Sequence, residues 1–527
     1  MNPPTVVFHE FVTVTRAVPI PMRDGVRLTA DIYRPRGVDT PLPVLLMRLP
    51  YGRAIASTVT YKHPSWYAMQ GFIVVIQDVR GCGLSEGNFY PFRHEYEDGY
   101  DTVAWCVQEL PGSNRRVGMY GFSYQGVTQF QAAVMQPPGL VTICPAMATA
   151  DLYHGWFYWG GMPCWEFLLT WGLQLTQNRA QYLGDEPKSI ATFAAQQRLP
   201  ELLQTLPMLA VEPVDGFYYD WLEERDPQSP YWQQLNPIAR FDAYDLPALH
   251  VAGWYDLFVE ATWHTHERSL AATAQPQHLV IGPWQHMPWI PQVGDVNFGP
   301  EASSAIDTYQ VDWFNFWLKG IDNGITGRSP RHFFAMGPNQ WHQPAAAPVI
   351  TLHLHSDATL SAEPPHPAPP DIYVFDPRIP NPSTAYAPLD QQPTHRRWDY
   401  LLYASAVLPA ELWIAGVATL TLHATSDAPE PCWVVKLLDL FPGDRQQLIT
   451  MGILQTNQCP VPLSFRPTDY VVPAGHRLGL AIASAAFPLV ARTANPRATV
   501  SDLRESTQQV HYHAPSTLRL PKQLGKT

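Results

Sequence analysis

The sequence predicts an α/β protein with a doubly wound sheet, a helical insertion in its middle and a β-rich domain at its end. Short apolar runs alternate with helical patterns over 1–149, and the same character returns over 245–345. Residues 150–244 are rich in Trp, Tyr, Leu and Gln, and 346–527 contain short Thr/Val/Leu-rich segments separated by turn residues. We therefore expect a two-part α/β core, an inserted helical cap and a C-terminal antiparallel sandwich or jelly roll.

The opening segment predicts an antiparallel hairpin, because two alternating runs over 14–35 are joined by Asp24-Gly25, both of which tolerate positive φ. The amphipathic pattern of Glu95–Glu109 predicts a helix among strands, as a doubly wound sheet requires. The runs that follow the hairpin are short and almost wholly apolar, as parallel strands buried on both faces are: Val44–Met47, Phe72–Ile76, Val117–Phe122, Val141–Cys144, Ala248–Ala252 and His278–Ile281.

The rest of the chain is predicted to contain a proline-rich loop, further helices and a group of late strands. Pro364–Pro370 is too rich in proline for regular structure. Helices are predicted over Cys164–Gln177, Ile190–Leu199 and Thr308–Leu318, and late strands over Ala418–Thr425, Val434–Leu440 and Leu478–Ile482.

Composition places the chain among globular proteins. Of 527 residues 46% are hydrophobic and 15% charged, which excludes a disordered chain. The net charge of −12 comes without a run of like charge, so no nucleic-acid groove is expected. No apolar run could span a bilayer, and the N-terminal residues lack the pattern of a secretory signal. The six cysteines form no C-x-x-C pair, and we expect free thiols in a cytoplasmic protein.

Ser123 is the candidate nucleophile. The apolar run Val117–Phe122 leads into it and a helical pattern follows, as at the nucleophile elbow of serine hydrolases. Gly121 supplies the small residue before the turn, but Gln125 stands where the usual second glycine would be, and Gly126 comes one residue later. A serine in this place can also simply cap the helix.

A hydroxyl needs a base, and the base needs an orienting acid. Asp256 and His286 each follow a predicted parallel strand, in the chain order Ser, Asp, His. Since the carboxyl ends of parallel strands meet at one sheet edge, these side chains are expected to converge there. Singly, each could be an ordinary loop residue.

Two groups could stabilise the oxyanion. The backbone N–H of Tyr124, directly after the nucleophile, is one expected donor. The loop after the first core strand offers the Tyr51 hydroxyl, although a buried packing tyrosine is an equally good interpretation of that residue.

Together these motifs resemble the family of bacterial cocaine esterases, X-Pro dipeptidyl-peptidases and α-amino-acid ester hydrolases. The resemblance rests on a G-x-S-Y-x-G elbow and on segments along nearly the whole chain: Leu49–Tyr51, Gln77–Gly87, Gly121–Gly126, Gly253–Asp256, Gly282–His286 and Phe334–Gly337. It implies an α/β-hydrolase core with a helical cap and a C-terminal jelly roll. It also implies the triad Ser123–His286–Asp256, and an oxyanion hole formed by Tyr51 and Tyr124.

By position, Trp156, Trp171 and Phe258 resemble the residues that line the acyl pocket of the family's esterases. About half of the cap's aromatic rings could instead join cap to core. The carboxylates that bind an amino-acid ammonium in α-amino-acid ester hydrolases are missing after Asp256, where only Glu260 is acidic.

We therefore predict a serine esterase that needs no cofactor and acts on small esters with an aromatic or apolar acyl group. An Xaa-Pro dipeptidyl-peptidase acting on short peptides and a non-catalytic ligand-binding protein remain as alternatives. Three His-x-His pairs occur, at 264/266, 353/355 and 511/513. The first is predicted helical and the others lie in expected strands, and no metal site is predicted, because no carboxylate or Cys accompanies them.

Overall fold

The computed structural model describes residues 5–8, 10–54, 58–345, 348–383 and 386–523. The first part of the core contains β1 (Thr5–Phe8), β2 (Val12–Pro21), β3 (Arg27–Pro35), β4 (Leu42–Leu49), α1 (Pro64–Met69), β5 (Ile73–Asp78), α2 (Glu95–Gln108), β6 (Ser113–Phe122), α3 (Tyr124–Ala133) and β7 (Leu140–Ala146). Strands β2 and β3 form the predicted hairpin, and Gly25 in its turn has φ +86°.

The segment that follows is mainly helical. It contains β8 (Tyr158–Trp159), β9 (Met162–Pro163), α4 (Trp165–Leu183), α5 (Glu186–Gln197), α6 (Leu199–Leu202), α7 (Gly216–Glu223) and α8 (Pro230–Leu235). A π-helical turn spans Tyr153–Phe157, and 3₁₀ turns span Met208–Ala210 and Pro237–Ala243.

The core then resumes with β10 (Ala248–Gly253), α9 (Val259–Ala272), β11 (Gln277–Gly282), β12 (Gln292–Val293), β13 (Val296–Asn297), α10 (Ile306–Lys319), β14 (Arg331–Ala335) and β15 (Gln340–His342). Short 3₁₀ turns cover Pro300–Ala302 and Ile325–Gly327.

One large sheet organises the core. In the described part of the chain its strand order is β1-β2-β3-β5-β4-β6-β7-β10-β11-β14-β15. The strands from β5 to β14 run parallel, and the outer strands are antiparallel. Alternate residues of β4 enter two apolar clusters, Leu45 and Met47 with α1 and α10, Val44 and Leu46 with α2. Helices therefore cover both faces, which confirms the doubly wound arrangement.

In the described residues of the C-terminal part the regular elements are strands, apart from a 3₁₀ turn at Val500–Asp502. Its strands are β16 (Val349–Leu354), β17 (Thr359–Ser361), β18 (Asp371–Phe375), β19 (Leu401–Ser405), β20 (Leu412–Gly416), β21 (Thr419–Leu422), β22 (Ala424–Ser426), β23 (Cys432–Leu440), β24 (Gln446–Gln455), β25 (Val461–Ser464), β26 (Thr468–Val472), β27 (Arg477–Ala483), β28 (Ser506–Val510) and β29 (Thr517–Pro521). Pro364–Pro370 carries no regular structure, as predicted.

The main sheet of this β domain has the order β24-β23-β27-β19-β17-β16-β29-β21-β25 among the described residues. Its pairs are antiparallel except β17 with β19. The two end strands of this order, β24 and β25, also approach each other. The N–H of Arg466, just after β25, donates to Met451 O in β24 at 3.0 Å. The sheet therefore curls towards a barrel. Its apolar interior is continuous with core residues such as Trp254 and Phe333.

The cap contacts the β domain through the tight turn between β8 and β9. Gly160 in that turn has φ +54°, and its carbonyl accepts the Gln455 N–H at 2.7 Å. A Cβ at Gly160 would lie 2.0 Å from Ile453 O. Only glycine fits this contact, since the backbone atoms of Ile453 and Leu454 opposite it cannot rotate away as a side chain could.

Gly160→Ala is expected to lower the free energy of unfolding by roughly 2–4 kcal/mol, because it adds a backbone clash to the strain of a positive φ. Gly184→Ala is the matched control: Gly184 has φ +69° but nothing within 4 Å of its would-be Cβ. The control should cost only about 1 kcal/mol. Denaturant unfolding of both variants measures the difference, and equal losses would contradict the proposed clash.

Candidate active site

Ser123 lies in the sharp turn between β6 and α3. Its backbone has φ +61° and ψ −130°, a left-handed conformation that is strained for serine. Its N–H donates to Ala146 O at 2.9 Å, and its carbonyl accepts from Gly126 N–H at 2.8 Å. The side chain makes no capping hydrogen bond to α3. Helix capping therefore does not explain this serine.

The glycine spacing of the turn follows from its packing. A Cβ at Gly121, which has φ +138°, would lie 2.5 Å from Gln125 Cβ. A Cβ at Gly126 would lie 2.4 Å from Ala148 Cβ. Gln125 Oε1 accepts a hydrogen bond from Phe122 N–H at 3.3 Å, so its side chain folds back over the turn. Gly126, rather than residue 125, is where the helix meets the neighbouring segment.

Asp256 and His286 form a hydrogen-bonded pair at the carboxyl edge of the sheet. β10 and β11 pair in parallel with Gly253 opposite Gly282, and both loops leave the same edge. The Tyr255 N–H donates to Trp284 O at 3.0 Å, so the loops are also joined directly. His286 Nδ1 lies 2.8 Å from Asp256 Oδ1. The carboxylate is fully buried, and its Oδ2 has no protein partner among the described residues.

The imidazole of His286 lies beside the serine turn. Its ring centroid is 5.4 Å from that of Phe122, the residue before Ser123. Within the described chain no hydrogen bond joins the Ser123 hydroxyl to His286, and Nε2 makes none. Such contacts are often long in serine hydrolases without substrate and shorten on binding.

The two expected oxyanion donors are Tyr124 and Tyr51. Tyr124 is the first residue of α3, so its N–H has no partner within the helix. The Tyr51 ring lies 6.4 Å from the Tyr124 ring, and the Tyr51 hydroxyl oxygen accepts from Trp171 Nε1 at 3.0 Å. That bond uses an oxygen lone pair and leaves the Tyr51 O–H free to donate. Burial raises the pKa of Tyr51, which keeps the phenol protonated.

A buried ion-pair network holds the Tyr51 loop. The Arg53 N–H donates to Asp78 Oδ1 at 2.7 Å, and its side chain pairs with Asp78 and with Asp31 at 2.8 Å. Arg80, two residues after Asp78, does not join this network and instead forms a fork with Asp98 in the first turn of α2, at 2.6 Å.

The three predicted pocket residues are brought together. The Trp156 and Phe258 rings stack at 4.2 Å, and Trp171 lies 5.5 Å from Trp156. Phe258 also lies 5.3 Å from the His286 ring. These rings are almost completely buried, with 1% of Trp156 and 5% of Trp171 exposed.

Two further rings of this cluster were not predicted. Phe92 stacks on Tyr124 at 4.3 Å, and Phe167 stacks on Trp171 at 5.5 Å. Phe167 is only partly buried and packs at the edge of the cluster. Phe167 is the third residue of α4 and lies four residues before Trp171, so the two side chains share one face of the helix. This spacing could have indicated Phe167 as a member of the cluster.

The His-x-His pairs make contacts of their own. The His264/His266 pair is helical as expected, and His353 lies in β16, but His355 falls one residue past the end of that strand. His511 and His513 follow β28 rather than lying in a strand. The pairing of β28 ends at Val510, where the chain turns away. In the described ranges no three His, Cys, Asp or Glu side chains are grouped so as to hold a metal ion. No described helix has the length and apolar character needed to cross a membrane.

Comparison with known proteins relates this site to a family. The family model described as X-Pro dipeptidyl-peptidase (S15 family) matches residues 24–288. The model of the X-Pro dipeptidyl-peptidase C-terminal non-catalytic domain matches residues 322–518. Cocaine esterase of Rhodococcus sp. is 30% identical over 94% of this chain and 95% of its own length.

More distant relatives agree over most of the chain. A putative serine esterase of Mycobacterium bovis is 24% identical over 88% of this chain and 89% of its own. An α-amino-acid ester hydrolase structure superposes with a TM-score of 0.80 at 22% identity, covering 98% of both chains. That superposition shows a shared α/β-hydrolase fold. The chain belongs to the S15 family of X-Pro dipeptidyl-peptidases and related esterases.

Proposed function

We propose that this protein is a serine hydrolase that cleaves carboxylic esters through an acyl-enzyme. Ser123 would be the nucleophile, His286 the general base and Asp256 the acid that orients it. The observation that carries the proposal is the strained, uncapped Ser123 turn next to the Asp256–His286 hydrogen bond. The cocaine esterase and serine esterase relatives support ester cleavage.

The chemistry uses these groups in sequence. Ser123 Oγ forms a bond to the acyl carbon while its proton passes to Nε2 of His286. Asp256 holds the ring by Nδ1 and balances the charge of the imidazolium. The imidazolium then gives its proton to the departing alkoxide, which leaves as the alcohol. Water, deprotonated by the same base, attacks the acyl carbon, and the acid is released with Ser123 reprotonated.

The tetrahedral intermediate needs donors for its oxyanion. We assign this role to the Tyr124 N–H at the start of α3 and to the Tyr51 hydroxyl. The helix end contributes partial positive charge to the same place. The bond from Trp171 holds the Tyr51 oxygen and leaves its O–H free to donate to the oxyanion.

The acyl group is expected to be aromatic or apolar. Trp156, Trp171 and Phe258 would line its pocket, because their faces form a continuous apolar wall up to the His286 ring. Glu260, the acidic residue that follows Asp256 most closely, has its carboxylate 3.7 Å from His264 Nε2. That neighbour makes it a poor anchor for a substrate ammonium.

Xaa-Pro dipeptidyl-peptidase activity is the second candidate. The family model and a Streptomyces avermitilis putative Xaa-Pro dipeptidyl-peptidase, 23% identical over 60% of this chain, favour it. The same triad would serve both reactions. A direct comparison of esters with Xaa-Pro amides separates them.

We further propose the organisation expected from sequence: core over 1–149 and 245–345, cap over 150–244 and a jelly roll over 346–527. The curling of the main β sheet supports the last of these. All six cysteines are free thiols and four of them are buried, which favours a reducing compartment such as the cytoplasm.

Ser123→Ala should abolish hydrolysis of nitrophenyl esters while leaving the thermal unfolding temperature nearly unchanged. The nucleophile is removed, and the hydroxyl makes no structural hydrogen bond to the helix. Ser113→Ala, at the opposite end of β6, is the control and should retain full activity. Nitrophenyl esters and Xaa-Pro nitroanilides are tested side by side on all three proteins. Ester hydrolysis that survives in Ser123→Ala would refute the assignment.

Tyr51→Phe should lower kcat by roughly 10- to 1000-fold with little change in KM, because one oxyanion donor is lost. The control is Tyr182→Phe, since the Tyr182 hydroxyl donates to the same loop at Pro50 O, 3.2 Å away, and has no part in the proposed oxyanion hole. It should keep most of the activity. Steady-state kinetics with one nitrophenyl ester measures both, and an unchanged kcat in Tyr51→Phe would exclude Tyr51 from the oxyanion hole.

A further inference from the structure

A buried arginine of the β domain contacts the backbone of the candidate catalytic acid. Arg466 lies between β25 and β26, and its guanidinium Nη2 donates a hydrogen bond to the main-chain carbonyl of Asp256. That carbonyl also accepts the Val259 N–H at 3.3 Å, at the start of α9. The loop carrying Asp256 is thus held by a residue 210 positions away along the chain.

The backbone of Arg466 is fixed on both sides. Its N–H donates to Met451 O at 3.0 Å, and its carbonyl accepts the Thr450 hydroxyl at 2.8 Å. Its guanidinium carbon lies 4.2 Å from the Tyr386 ring centroid and 5.4 Å from that of Trp159. Trp159 belongs to the cap segment, so core, cap and β domain all meet at this one side chain.

The charge of Arg466 has an unusual setting. Only 5% of the residue is exposed, and among the described residues it forms no ion pair. A buried cation without a bonded carboxylate is costly unless a nearby anion compensates it. Burial lowers the pKa of Arg466, opposed by Tyr386, Glu260 and Asp256. The Asp256 carboxylate, whose Oδ2 has no hydrogen-bond partner in the described chain, is a suitable counter-charge.

We propose that Arg466 is a positioning residue for the Asp256–His286 pair, fixing the Asp256 loop through its carbonyl and compensating the charge of the buried carboxylate. The proposal rests on the function proposed above. It gives the β domain, which matches a domain described as non-catalytic, a direct part in setting the geometry of the base.

The proposal predicts a loss in the rate of the chemical step. The other titratable groups around the guanidinium are Tyr386 on the β domain, Cys164 next to α4 and Glu260 on α9. Without the hydrogen bond from Arg466 to the Asp256 carbonyl, the Asp256 loop loses a fixed contact and the Asp256–His286 pair should be held less accurately. Substrate binding should be affected much less than the rate.

Arg466→Met is expected to lower kcat roughly 10- to 100-fold with KM changed little, because a misplaced base slows the chemical step. Arg466→Lys keeps the charge but not the planar fork, so it should lose less of kcat than Arg466→Met does. Arg378→Met is the control, an exposed arginine of the same domain that pairs with Asp376. It should change neither quantity.

The readout is the rate at which a fluorophosphonate labels Ser123, measured beside kcat and KM for a nitrophenyl ester, with circular dichroism to check folding. A wild-type protein that is not labelled overturns the triad and this inference together. A labelled wild type with a folded Arg466→Met that is labelled at the same rate and keeps its kcat overturns the inference alone. If Arg466→Met does not fold, Arg466→Lys decides: a wild-type labelling rate in that variant contradicts the positioning role.

Discussion

The left-handed backbone of Ser123 is the constraint on which the candidate site depends. A non-glycine residue at φ +61° is strained by about 1–3 kcal/mol, so the surroundings must impose it. Its N–H donates a hydrogen bond to the Ala146 carbonyl, and its own carbonyl accepts hydrogen bonds from the N–H groups of Gly126 and Val127. These bonds hold Ser123 in the strained conformation. The glycine at 126 lets α3 press against the segment after β7. Because main-chain hydrogen bonds hold the turn, the Ser123 hydroxyl is not needed to stabilise it.

The parts of the fold and site that follow from local sequence could be predicted. Each parallel strand was a short apolar run, and Asp256 and His286 followed two such runs at the same sheet edge. Their meeting needs only the rule that parallel strands end together. The elbow departed from the simple motif at Gln125, yet the structure accommodates it because that side chain bonds back to Phe122.

What could not be predicted depends on contacts between distant segments. The partner of Asp78 is Arg53, on the Tyr51 loop, and not the nearby Arg80, which pairs with Asp98 in α2. Phe92 joins the aromatic cluster from a coil before α2, with no periodic pattern to indicate it. The contact of Arg466 with Asp256 crosses from one domain to another. Spacing along the chain carries no information on any of these three.

In the function proposed above, Phe258 would link the chemistry of the site to its specificity. Its ring is 5.3 Å from His286 and 4.2 Å from Trp156, so one side chain contacts both the proposed base and the proposed pocket. It also follows Asp256 by two residues, in the same loop. An acyl group that packs against Phe258 would therefore contact the segment that holds the imidazole. Apolar side chains around the Asp256–His286 pair exclude water and strengthen its electrostatic interaction. On this proposal an aromatic or apolar acyl group would complete the dry surroundings that the base requires, whereas a charged one would bring water in with it.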